Sequence, residues 1–222
     1  MRTLLASLTL CTAASLTAMS ATAEDSRGTN YRVTITNLTV GQTFTPFLVA
    51  SHSPADNLLF SAGDAPGDKL AALAEGGDTA PLQAALDADG RVDATATSGG
   101  LLGPGDTVTV SITAPPGWDH ISLAAMLIPT NDGFVSLQNV AIPDDRQAAT
   151  YYAPAYDAGS EPNDELCSAI PGPVCGGVGG SPGVGGEGFV HIHPGIHGIG
   201  DLDPAERDWR TPVAKIVIRR AP

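Results

Sequence analysis

The chain has 222 residues, with 24 acidic against 11 basic side chains and a formal charge of −13. A surface this acidic repels nucleic acid and anionic membranes, so neither is an expected partner. The same carboxylates suit a hard cation, and the length suits one domain with a sizeable core.

The chain opens with a basic end, Met1-Arg2, then an apolar stretch from Leu4 to about Leu16, then the small residues Ala21-Thr22-Ala23. This order reads as a secretory signal peptide over residues 1–23, cleaved after Ala23. The apolar run is too short and too rich in Ser and Thr for a membrane span. Cys11 follows Leu10, where a lipid-attachment signal wants a small residue. No later apolar run is long enough to cross a membrane. Residues 24–222 are therefore expected to be one soluble domain, secreted or periplasmic, without membrane insertion. Of the three cysteines, Cys167 and Cys175 follow the leader. A close pair in an exported protein reads as a disulfide, and zinc would need two more good ligands nearby.

Short alternating segments come next. Tyr31 to Asn37, Val92 to Thr97 and Thr107 to Thr113 alternate apolar with polar residues and are rich in Thr and Val. Period-two patterning of this kind predicts half-buried strands. Phe44 to Ala50, Ile121 to Ile128 and Phe134 to Leu137 read as more buried strands, and Val213 to Arg219 as a final one. Gly and Pro punctuate the joins, as at Gly103-Pro104-Gly105-Asp106. Between the early strands, Asp68 to Glu75 is helical in composition. Pro81 to Asp87 predicts a second short helix, with Thr79 as its cap and Pro81 in its first turn. The plan is an all-β antiparallel sandwich with a short helical insertion. A Gly-rich stretch, 172–188, reads as a long loop that is either functional or mobile.

Three clusters could carry chemistry. The first is the turn after a strand, Pro129-Thr-Asn131-Asp132-Gly133-Phe134. The second is Tyr156-Asp157-Ala-Gly-Ser-Glu161-Pro-Asn163-Asp164-Glu165. Calcium takes six to eight oxygens, and two loops at one end of a sandwich could supply them. Solvated acidic turns are the plain alternative. The third is Phe189-Val-His191-Ile-His193-Pro-Gly-Ile-His197. On a strand His191 and His193 share a face, and His197 could return to it through the Pro-Gly turn, a set able to bind zinc or copper. The alternative is a packed, hydrogen-bonded histidine cluster.

Taken in order, these motifs resemble the spondin N-terminal domain family of extracellular matrix proteins. Pro129 to Phe134 stands where the family has a Pro-Ser-Pro-Asp-Trp-Phe-type segment. Tyr156-Asp157-Ala158-Gly159-Ser160-Glu161 stands for its Tyr-Asp-Ala-Gly-Thr-Asp segment, and Pro212 to Ile218 for its last strand. The resemblance covers about Tyr31 to Arg220. It implies a C2-like β-sandwich with calcium held by Asp132, Asp157 and Glu161. Two departures stand out: Glu161 replaces the family's Asp, so that Asn163, Asp164 or Glu165 could take its place, and Gly133 replaces an aromatic residue. The segment with Cys167, Cys175 and the three histidines lies outside the animal pattern and looks like a bacterial branch.

The expected function is thus a secreted binding or adhesion module that binds calcium and recognises an extracellular protein or glycan, and not an enzyme. No Gly-x-Ser-x-Gly or Gly-x-Gly-x-x-Gly string stands between a predicted strand and a predicted helix, as a nucleophile elbow or a nucleotide-binding loop requires; the matching strings at 179–183 and 183–188 belong to the Gly-rich loop. The rival is a copper or zinc metalloprotein, or a metalloenzyme, built on His191, His193 and His197. Gly185 followed by His191-x-His193 fits the opening of the cupin pattern, but His197 stands where a Glu is wanted. A superoxide dismutase-like site would draw on His52 or His120.

Overall fold

The computed structural model describes residues 28–143, 147–180 and 185–222. The expected leader, 1–23, lies outside them. In chain order the elements are β1 (Thr29–Asn37), β2 (Thr43–Phe44), β3 (Leu48–His52), α1 (Gly67–Gly76), α2 (Ala80–Asp87), β4 (Val92–Thr97) and β5 (Thr107–Ala114). There follow β6 (His120–Ile128), β7 (Gly133–Ala141), β8 (Ala149–Ala153), β9 (Ala155–Asp157), β10 (His191–Ile192), α3 (Pro204–Arg207) and β11 (Ala214–Arg220). One sheet runs β5-β1-β11-β8. The other runs β10-β9-β7-β6-β3-β4, with β2 paired to β6 beside that path. Every pairing is antiparallel. The architecture is an all-β sandwich with a small helical insertion.

Patterning explains which strand lies where. In β1, β5 and β11 apolar residues alternate with polar ones. Val33, Ile35, Val110, Ile112, Ile216 and Ile218 point inward, and Thr34–Thr109 and Thr36–Thr107 hydroxyl pairs lie on the solvent side. These inward side chains meet Val49, Leu123, Ala125 and Val135 of the second sheet, and Phe47 just before β3, in one core. Each large apolar side chain buried there contributes about 1.5–3 kcal/mol. In β3 and β6 alternation fails, because both faces are covered. Leu48, Ala50, Ala124 and Phe134 face away from the sandwich core and pack under Leu70, Leu73, Leu82 and Leu86 of the helices. The helical insertion is thus a third layer on one face, and the near-continuous apolar runs of β3 and β6 follow from it.

Phe44 to Ala50 does not form one strand. The chain breaks at Thr45-Pro46, where proline has no N–H for a ladder, giving β2 and β3. Thr79 stands at the N-cap of α2 with Pro81 in the first turn, but its side chain makes no cap bond. Asp78 Oδ1 instead accepts from Ala80 N at 3.0 Å. Cys167 and Cys175 form a disulfide. Its small loop is anchored by Ile170, which is fully buried in the core.

Candidate cation centre at the loop end

The far edge of the larger sheet brings the first two sequence clusters together. The turn at 129–132 leads directly into β7, which pairs with β9 so that Gly133 stands opposite Asp157. On the other side of β9, β10 places His191 opposite Asp157. Opposed residues of an antiparallel pair project to the same face. Asp157 therefore lies between the Asp132 turn and the histidine strand, and Ala158 N donates to Asp132 O to close the corner.

Both aspartates are fully buried. Asp132 Oδ2 accepts from Ser160 N at 2.7 Å, Glu161 N at 3.0 Å and Ser160 Oγ at 3.2 Å. Its Oδ1 is buried without a hydrogen-bond partner. Asp157 Oδ1 accepts from Gly159 N at 2.7 Å and Oδ2 from Asn163 Nδ2 at 2.5 Å. Burial, and then the neighbouring Asp157 charge, push the Asp132 carboxyl up to about 7. Burial also raises Asp157, against the donors from Asn163 and Gly159. Two carboxylates in one dry corner thus repel, and only part of that cost is offset by N–H donors.

Glu161 is buried beside them, its backbone N–H on Asp132. Glu165, one of its possible substitutes, has another task. Its carboxylate accepts from the backbone N–H groups of His197 at 2.6 Å, Gly198 at 2.8 Å and Ile199 at 3.1 Å, while its own N–H reaches Asn131 Oδ1. It ties the histidine segment to the Asp132 turn. Asp164 Oδ1 accepts from Asn131 Nδ2 and Leu166 N, and Asn163 bonds Asp157.

The three histidines part company. His191 is half-buried, with Nδ1 at 3.6 Å from Asp157 Oδ1 and its ring against Phe189. His193 is buried against Trp209, its Nδ1 accepts from Gly195 N at 3.0 Å, and its Nε2 lies 3.9 Å from Asp157 Oδ2. Burial holds its pKa down at about 3, so the ring is neutral. His197 is exposed. Among the described residues the three rings do not bring ligand nitrogens within 4.8 Å of one another, and neither do Asp132, Asp157 and Glu161 bring carboxylate oxygens that close. The set that does so is Asp157, Glu187 and His191. His52 and His120 stand opposite each other across β3 and β6 and join no such set.

One residue of this corner escapes sequence reasoning. Glu187 sits in the Gly-rich loop, where its one signal is an isolated carboxylate four residues before His191. Gly133 is glycine because the His193 ring fills its side-chain space: a Cβ there would lie 2.8 Å from His193 Cδ2 and 2.6 Å from Thr130 Oγ1. An aromatic side chain at this position would have no room.

Comparison of the sequence with models of known protein families and with curated proteins found no match.

Proposed function

We propose that this protein is an exported binding module whose loop end is organised by a calcium ion, held by Asp132 and Asp157 with Glu161 beside them. The observation that carries this reading is the fully buried Oδ1 of Asp132, which has no hydrogen-bond partner and stands next to a second buried carboxylate. A cation at that point would supply the missing partner and cancel the repulsion. The donors there are oxygens, which suits a hard ion. The carboxylates that miss a common 4.8 Å sphere would close around the ion by side-chain adjustment of Asp132 and Glu161, which lie outside the strands, toward Asp157 on β9. The disulfide and the acidic surface fit an exported protein, and no described helix is long and apolar enough to cross a membrane.

The partner is an extracellular protein or glycan. A cleft of about 490 Å³ opens beside the centre, lined by His193, His197, Trp209 and Arg210 among others, and gives such a partner a place next to the ordered loops. Calorimetric titration of calcium into the stripped protein tests the reading. One ion per chain is expected, with binding lost in Asp132→Asn. Equal heats from wild type and Asp132→Asn would refute this placement.

A further inference from the structure

We propose that Asp157, Glu187 and His191 form a second cation site that takes a borderline divalent metal of the zinc class. It goes beyond the calcium reading: it shares Asp157 with that centre and adds Glu187 and the nitrogen of His191.

One ligand atom from each of the three residues lies within 4.8 Å of the others. His191 Nδ1 is 3.6 Å from Asp157 Oδ1 and has no hydrogen-bond partner. Two donors held at about 2.1 Å from one tetrahedral ion are about 3.4 Å apart. The pair is therefore too distant to be a hydrogen bond and near the span that a shared metal requires.

The scaffold around Glu187 is built. Gly186 N donates to Ser160 O and Gly188 N to Gly159 O, so the residue between them is fixed on both sides. The close approach needs glycine at 159, with φ +68° and with Phe189 O only 2.4 Å from where a Cβ would stand. Asn163 Nδ2 reaches both Asp157 Oδ2 at 2.5 Å and Glu187 Oε1 at 3.3 Å, which holds two like charges side by side. An ion between them would relieve that repulsion.

An independent observation comes from His193. Its side chain is 2% exposed, and its Nε2 faces Asp157 at 3.9 Å without a hydrogen-bond partner. Because Nδ1 accepts from Gly195 N, the neutral ring carries its proton on Nε2. His193 is therefore a positioning residue: its N–H is aimed at the carboxylate that would bear the ion, the arrangement by which buried N–H groups orient metal-binding carboxylates. Its ring also fills the space left by Gly133, so its direction is set by packing.

One nitrogen and two carboxylates favour zinc or cobalt over calcium, which takes oxygen. Three protein donors leave a fourth position. Glu187 is exposed and His191 half-buried, so that position opens to solvent, to be filled by water or by a donor from a bound partner.

The test is calorimetric titration of the stripped protein with zinc chloride, alone and in excess calcium chloride, with cobalt as an optical probe of nitrogen ligation. The expected result is one zinc per chain that persists in calcium. Glu187→Gln and His191→Ala should each weaken zinc about tenfold or more, while Asp132→Asn keeps it. Glu187 is a surface position, so its variant reports on binding in a folded protein even if His191→Ala misfolds. Zinc that calcium displaces, or zinc affinity unchanged in both variants, would overturn the assignment. Zinc binding that depends on His191 in a protein that ignores calcium would uphold it and remove the calcium reading instead.

Discussion

Two buried histidines separate the two halves of this molecule. His52, at the end of β3, has both ring nitrogens partnered: Nδ1 lies 2.7 Å from Ser53 O and Nε2 2.8 Å from Ser122 Oγ, which also accepts from Asn139 N. His193, at the loop end, has one nitrogen partnered and the other open toward a buried carboxylate. Burial lowers the pKa of both. The difference is completeness. Around His52 the polar groups close among themselves, which is what a structural network does. Around Asp157 they stop short, at Asp132 Oδ1, His191 Nδ1 and His193 Nε2. A folded protein tolerates such a deficit where something else completes it.

If this contrast holds, damage to the closed half should be large and indifferent to metal. Leu123→Ala removes a fully buried side chain from the sandwich core and should cost about 2–5 kcal/mol. Urea unfolding should give the same loss with and without calcium. Damage at the open half should appear only when metal is present. At calcium one hundred times its Kd the wild type should gain about 2.7 kcal/mol, and Asp157→Ala should gain nothing. A retained melting shift in Asp157→Ala would place the ion elsewhere. His191→Ala should keep the calcium shift, because its nitrogen belongs to the other donor set; losing the shift would merge the two sites.

Smaller effects sharpen the boundary. Breaking Cys167–Cys175 reopens a loop with a sequence separation of 8, worth about 2.5 kcal/mol by loop entropy. Alkylation of both thiols in the native oxidised protein would contradict the bridge. The smallest effect is one of pH. His52 has a folded pKa below its ordinary 6.5, so its contribution is present above pH 6.5 and lost as pH falls through the depressed folded value. The urea midpoint should fall more steeply between pH 7.5 and 5.5 in wild type than in His52→Gln. Calcium should not alter that difference, because His52 lies in the closed half.

The same contrast decides what could be read in the sequence. Alternation exposed β1, β5 and β11, because one face of each meets the core and the other meets water. The continuous runs of β6 also announced a strand, although the cause, helices covering its outer face, lay elsewhere in the chain. β9 and β10 carry no pattern of their own: at three and two residues they exist because β7 offers an edge to pair with. Asp132 and Asp157 were legible as acidic turns after strands. Their burial was not, since it depends on a register that sets Gly133 opposite Asp157. Nitrogens of His191 and His193 lie 3.6 and 3.9 Å from the Asp157 carboxylate, although β10 ends at Ile192, whereas the turn that was to return His197 leaves it exposed, its backbone N–H held by Glu165. Glu187 was invisible, because a carboxylate in a Gly-rich loop shows no periodicity and gains its place through two backbone bonds to residues nearly thirty positions away.

The most direct test of the central claim, that the loop end is completed by a cation, is elemental analysis of protein purified without chelators, followed by removal of the metal and remelting. A stoichiometric divalent ion is expected, calcium with or without a zinc-class partner, with a melting temperature that falls on stripping and recovers on its return. Protein that carries no such ion, and that melts at the same temperature with calcium, zinc or chelator, would contradict that claim.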